Sequence, residues 1–146
     1  MKLTEHFTLE ELVRSSKAEE MKVNNMEGVS IDKLKKVADL LEVIRASFGA
    51  PIWVSSGYRC KKVNDAVGGS KTSQHLLCEA ADIKACKGHT NKELFEKIKS
   101  LISSKKIEVG QLIWEYGTKE NPAWVHVSLK RTNGKPNNQI LTIGVK

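Results

Sequence analysis

"SSGYRCKKVNDAVGGSKTSQHLLCEAADIKA", Ser55 to Ala85, is the stretch on which the fold turns. His75 stands seven residues before Asp82, and Ala80, Ala81 and Ile83 surround that carboxylate with apolar neighbours. Desolvating a carboxylate is expensive unless something positive meets it. A cation is therefore expected beside Asp82. A second histidine brought in from elsewhere in the chain would make that cation a metal ion.

Working outward, "IWVSS" (Ile52–Ser56) is rich in strand-forming residues and feeds into the quoted stretch. "DAVGGSKTS" reads as the end of a short helix followed by a glycine loop, and "AADIKA" as the next strand. Upstream, "TLEE" at Thr8–Glu11 is a capping box that opens a short helix ended by Ser15 and Ser16. Residues 21–30 are polar and turn-rich. From Ser30, Ile31, Leu34, Val37, Ala38, Leu41, Ile44 and Phe48 fall at helical spacing, and Gly49 with Pro51 stops the helix. Downstream, "TNKE" at Thr90–Glu93 is a second capping box, opening a helix through about Ser103. "GQLIWEYG" and "AWVHVSLK" follow as neighbouring strands, and "NNQILTIG" adds an edge strand. Helices come before the paired late strands, so the expected fold is α+β, a single domain over residues 1–146 with a small antiparallel sheet and helices packed against it.

The bulk composition bounds the rest. A chain of 146 residues, 40% hydrophobic and 28% charged, has room for one buried core. It carries 24 Lys+Arg against 17 Asp+Glu, a net +7 that suits an anionic partner. The basic residues are scattered, with no arginine-rich or aromatic-interleaved stripe, so a solvated basic surface is expected and not a nucleic-acid interface. No stretch approaches the ~18 apolar residues of a membrane span. "MKLTEHFTLEELVRSS" lacks the apolar run of a signal peptide, and three cysteines without metal spacing fit a chain made and folded in a reducing cytoplasm.

Read as a strand, "WVHVSLK" puts Val125, Val127 and Leu129 on one face and Trp124, His126 and Ser128 on the other. A lone strand histidine is ordinarily structural. With His75 and Asp82, however, His126 completes two imidazoles and one carboxylate. That set leaves a fourth position of a zinc ion open to water, as a catalytic site requires.

"SGYR", "NDAVGGS", "SQH", "AADI" and "WVHVS" taken in order resemble the zinc D-Ala-D-Ala carboxypeptidase and L-alanyl-D-glutamate endopeptidase family, whose fold the hedgehog signalling domain shares. The resemblance runs from about His6 to Leu129. It implies one zinc per chain on His75, Asp82 and His126, and peptidoglycan stem or cross-link peptides as substrates. It implies an Arg59 that binds a substrate carboxylate or stabilises the oxyanion, with Ser73 and Trp124 beside the substrate. A phage-lysin-type monomer, made in the cytoplasm and acting on the wall after release at lysis, is the picture it suggests.

Two positions depart from the family pattern. Where many members carry a glutamate three residues before the last ligand, this chain has Ala123; Glu115, ending the preceding strand, is then the expected general base, with Glu120 in the loop between as the alternative. The glycine usual three residues after the first ligand is Cys78, read as either packing or a ligand competing with Asp82. Two other functions stay open at this level: a zinc-containing wall- or ligand-binding module without catalysis, and a basic nucleic-acid-binding domain.

Overall fold

The computed structural model describes all 146 residues. The elements are α1 (Leu9–Val13), α2 (Ser16–Met21), α3 (Ile31–Phe48), β1 (Ile52–Ser56), α4 (Lys61–Ala66), β2 (Ala80–Ala85), α5 (Asn91–Ser103), β3 (Val109–Glu115), β4 (Trp124–Leu129) and β5 (Gln139–Ile143). Both capping boxes form as the sequence predicts, Thr8 with Glu11 and Thr90 with Glu93. α3 is capped at one end by the Ser30 side chain and stopped at the other by Gly49, whose φ of 76° lies in the left-handed region that glycine occupies without strain.

α1 ends at Val13, just ahead of Ser15 and Ser16, as expected. The further helix α2 was not expected: Ser15 caps it, its side chain accepting from the Ala18 amide.

The five strands lie in the order β1-β2-β4-β3-β5. The pairs β1–β2, β2–β4 and β3–β4 are antiparallel, as expected. The tail does add an edge strand, but β5 runs parallel to β3, so the sheet is mixed and not wholly antiparallel. The sheet has two unlike faces. Val54, Ala81, Ile83, Leu112, Trp114, Val125 and Val127 point to one side, in the same apolar cluster as Leu34, Val37 and Leu41 of α3 and Leu94, Ile98 and Leu101 of α5. Alternation then delivers Asp82, His126, Trp124 and Glu115 to the opposite side, away from the helices. The polar face is where the loop between β1 and β2 folds over.

Candidate metal centre

Register brings the groups together before any side chain is considered. Asp82 of β2 is directly opposite His126 of β4, and Glu115 of β3 is opposite Trp124 of β4. His75 comes from the loop preceding β2. Its Nδ1 is 2.7 Å from the carbonyl oxygen of Gly57. A carbonyl can only accept, so Nδ1 carries a proton, and Nε2, which faces Asp82, is the nitrogen left to ligate an ion. Gly57 must be glycine for this: a Cβ there would sit 2.3 Å from the Leu12 carbonyl oxygen. The same approach lets the Tyr58 amide donate to Leu12 at 2.7 Å.

His75 Nε2 lies 3.3 Å from Asp82 Oδ1, and His126 Nδ1 lies 3.1 Å from the same oxygen. One ligand atom from each of these three buried residues falls within 4.8 Å of the others. Bonds of about 2.0–2.1 Å to a tetrahedral ion set its ligand atoms about 3.3 Å apart. The two measured nitrogen–oxygen separations match that edge. Two nitrogens and one oxygen suit a transition ion such as zinc better than magnesium or calcium, which take mainly oxygen. The residues therefore fit a metal, with a coordination position to spare. Burial pushes the Asp82 carboxyl up, but the charge and hydrogen bonds of His75 and His126 outweigh it and hold the group well below the usual carboxylate range.

A cavity of about 580 Å³ opens over this group, lined by all three ligand candidates and by Arg59, Ser73, Glu115, Tyr116 and Trp124 among others. Glu115 Oε1 is 3.6 Å from His126 Nδ1. Burial, reinforced by the charge of Asp82, raises the Glu115 carboxyl above its ordinary value, and the two imidazoles only partly offset this. Glu120 is exposed in the β3–β4 loop and lines no part of the cavity. Arg59 donates to Ser73 Oγ at 3.4 Å, and Ser73 Oγ also accepts from the His75 amide at 3.2 Å. Burial lowers the Arg59 pKa, while Asp82 and Glu115 pull it back. The Arg59 Nε is buried with no hydrogen-bond partner, a donor aimed at nothing in the chain itself. Trp124 forms a wall with Tyr116, their ring centroids 5.1 Å apart.

Cys78 is elsewhere. Its Sγ accepts from the Ser30 amide at 3.2 Å at the start of α3, and it is not part of the ligand group. Its φ is 60°, the left-handed region, which gives a physical reason for the glycine usual at this position.

Two contributors were not read from the sequence. The Gly57 carbonyl, which sets the His75 tautomer, is a backbone acceptor and carries no side-chain signature. Tyr116 also lines the cavity, held by a left-handed φ of 57° and by its amide donating to Ile143 at 2.7 Å. The "Glu-Tyr-Gly" strand end could have signalled that turn.

No curated protein matches the chain. The family described as Peptidase M15 does, over residues 5–128, which takes in every residue of the ligand group and Glu115. With the His-Asp-His centre already formed on the sheet, that match settles the assignment: the chain belongs to the Peptidase M15 family of metal-dependent peptidases.

Proposed function

We propose that the protein is a zinc peptidase that hydrolyses peptide bonds of bacterial peptidoglycan. The observation that carries this reading is the carboxylate of Glu115, in the same cavity as the ligand group and 3.6 Å from His126 Nδ1. A binding module has no need of a half-buried carboxylate beside its metal; a hydrolase requires one as general base. His75, Asp82 and His126 would hold the ion, which when bound supplies Lewis acidity and lowers the pKa of a coordinated water to roughly 7.

Glu115 takes a proton from the attacking water and returns it to the leaving amine, a role its raised pKa suits because the proton must be both accepted and released. Arg59 offers its unpartnered Nε–H and its positive charge to the oxygen on which negative charge develops, or to a substrate carboxylate nearby. Ser73 holds the Arg59 guanidinium and the His75 backbone in one arrangement. Trp124 and Tyr116, their ring planes 47° apart, offer an aromatic wall to the peptide. The +7 net charge favours approach to an anionic wall, and a lysin made in the cytoplasm and released at lysis accommodates such a surface.

The test is digestion of purified peptidoglycan by the zinc-loaded protein, with mass spectrometry of the released peptides. New amine ends that vanish on chelation and return with zinc support the reading. Zinc binding without turnover on any wall peptide would favour a binding module.

A further inference from the structure

Trp53 is the one tryptophan of the chain that neither packs in the core, as Trp114 does, nor lines the metal cavity, as Trp124 does. It stands on the open face of β1 and is 50% exposed, although an indole carries a large apolar surface. A hollow of about 180 Å³ lies against it, lined otherwise by Arg14, Ser16, Glu19 and Ser55. Arg14, Ser16 and Ser55 also line a chamber of about 310 Å³ that reaches Arg59, Asp82 and Trp124, and those three line the metal cavity. Trp53 thus stands at the far end of a groove that is continuous with the metal centre.

The indole is fixed before any ligand arrives. Arg14, at the end of α1, donates to the Val54 carbonyl at 2.9 Å and lays its guanidinium over the Trp53 ring, 4.3 Å from the ring centre. A ring held this way has little freedom left to lose on binding. The remaining lining decides what can bind. Arg14 and Glu19 bring one charge of each sign, and the hydroxyls of Ser16 and Ser55 both donate and accept. An aliphatic ligand would take water from these four polar side chains and leave them unpaired. A simple anion would face Glu19. A pyranose sugar suits the whole lining. Its C–H face lies on the electron-rich face of an indole, while its hydroxyls donate to Glu19 and accept from Arg14 and the serines.

We propose that the hollow against Trp53 is a sugar subsite, holding the glycan unit to which a wall peptide is attached. Trp53 is opposite Lys84 in the β1–β2 ladder, and Lys84 is two residues beyond Asp82 on the same strand. Two strand residues and one strand spacing put Trp53 about 8 Å from Asp82, the span of about two to three residues of extended peptide. One sugar-linked peptide therefore reaches the hollow and the metal centre together. The subsite grips the substrate by its carbohydrate end, a contact that the peptide alone does not make. The inference rests on the peptidoglycan reading for the identity of the sugar, and not for the existence of the subsite.

Two measurements on the full chain test it. In the first, a trimer of N-acetylglucosamine is titrated in without any peptide, and the tryptophan side-chain N–H signals are followed by NMR. The Trp53 signal, identified by its absence from Trp53→Ala, should shift and saturate, and that of Trp114 in the core should not. In the second, the zinc-loaded protein hydrolyses a disaccharide-linked stem peptide and the same peptide freed of its sugar. The linked peptide should show a KM about 10-fold lower at similar kcat, the scale of one aromatic contact with its hydrogen bonds. Trp53→Ala and Glu19→Ala should each lose most of that advantage and still hydrolyse the free peptide as the wild type does. Both residues are exposed, so neither truncation opens the core. A Trp53 signal that does not move would overturn the subsite, and so would equal KM for the two peptides or an advantage that survives in either variant. A shift by the trimer with no hydrolysis of either peptide would leave the subsite standing and remove the peptidase reading instead.

Discussion

Asp82 shows how much a single side chain can specify. Its position among Ala80, Ala81 and Ile83 demanded a positive partner, and the structure supplies His75 and His126 at hydrogen-bond range of one oxygen. His75→Ala, Asp82→Ala and His126→Ala should each lose the bound ion, as measured by metal analysis of the purified protein. Cys78→Gly should keep it, since the thiol is engaged with Ser30 and the left-handed backbone there favours glycine. Metal lost from Cys78→Gly but retained by Asp82→Ala would reverse the ligand assignment. Glu115 carries a second prediction. Its Gln variant should keep the metal and cut peptidoglycan hydrolysis about 100-fold, the scale of a lost acid–base group. The same variant should be more stable than the wild type when metal-free at neutral pH. Because the folded-state pKa of Glu115 is raised, the folded protein holds that proton more tightly than the unfolded chain does. Stability from this group is then present below its unfolded pKa and lost as pH rises through the folded value. The advantage of Gln should accordingly fade as pH falls below the ordinary glutamate range. An unchanged melting temperature at pH 7 would show that the carboxylate is not under strain.

At the scale of elements, legibility depended on what a strand's sequence can encode. Alternation in "WVHVS" told which residues share a face, and the register of β2, β4 and β3 then placed Asp82, His126 and Glu115 side by side. Both helices with capping boxes were equally readable, because the cap is a local hydrogen-bond pattern. Strand direction has no such local mark. "QILTI" could be read as an edge strand, but whether it ran along or against β3 depended on the path of residues 130–138, which the pattern does not determine. Backbone acceptors were equally silent, and Gly57 is the case that matters. In Gly57→Ala the added methyl would meet the Leu12 carbonyl at 2.3 Å, so either the α1–β1 contact or the carbonyl that holds His75 must move. We expect a loss of about 1–3 kcal/mol in stability, as for other forced overpacking. Metal affinity should fall about 10–100-fold, the usual effect of disturbing a group that orients a ligand. Chemical denaturation and metal titration would measure the two separately. Full metal affinity in a destabilised variant would mean that Gly57 serves packing alone.

For the molecule as a whole, the core and the metal centre are built on opposite faces of one sheet, which couples them. The helix-facing side contributes to a cluster of 28 buried residues that includes none of the three ligand candidates. The other side gathers Asp82, Glu115 and two imidazoles in a site that desolvates them, so part of the sheet's stability depends on what neutralises that group. A metal that binds the folded chain and not the unfolded one stabilises it by about 2.7 kcal/mol at 100 times its dissociation constant. For a chain of this size each kcal/mol is worth roughly 2–4 °C in melting temperature. Zinc at that excess should therefore raise the midpoint by about 5–11 °C, with the shift growing as the logarithm of zinc concentration and disappearing on chelation. Because the buried cluster contains none of the ligands, the chelated protein should still melt cooperatively, at the lower temperature. Asp82→Ala should show no zinc-dependent shift at all, since it removes the oxygen that both histidines face. A comparable shift in that variant would place the stabilising metal somewhere other than on His75, Asp82 and His126.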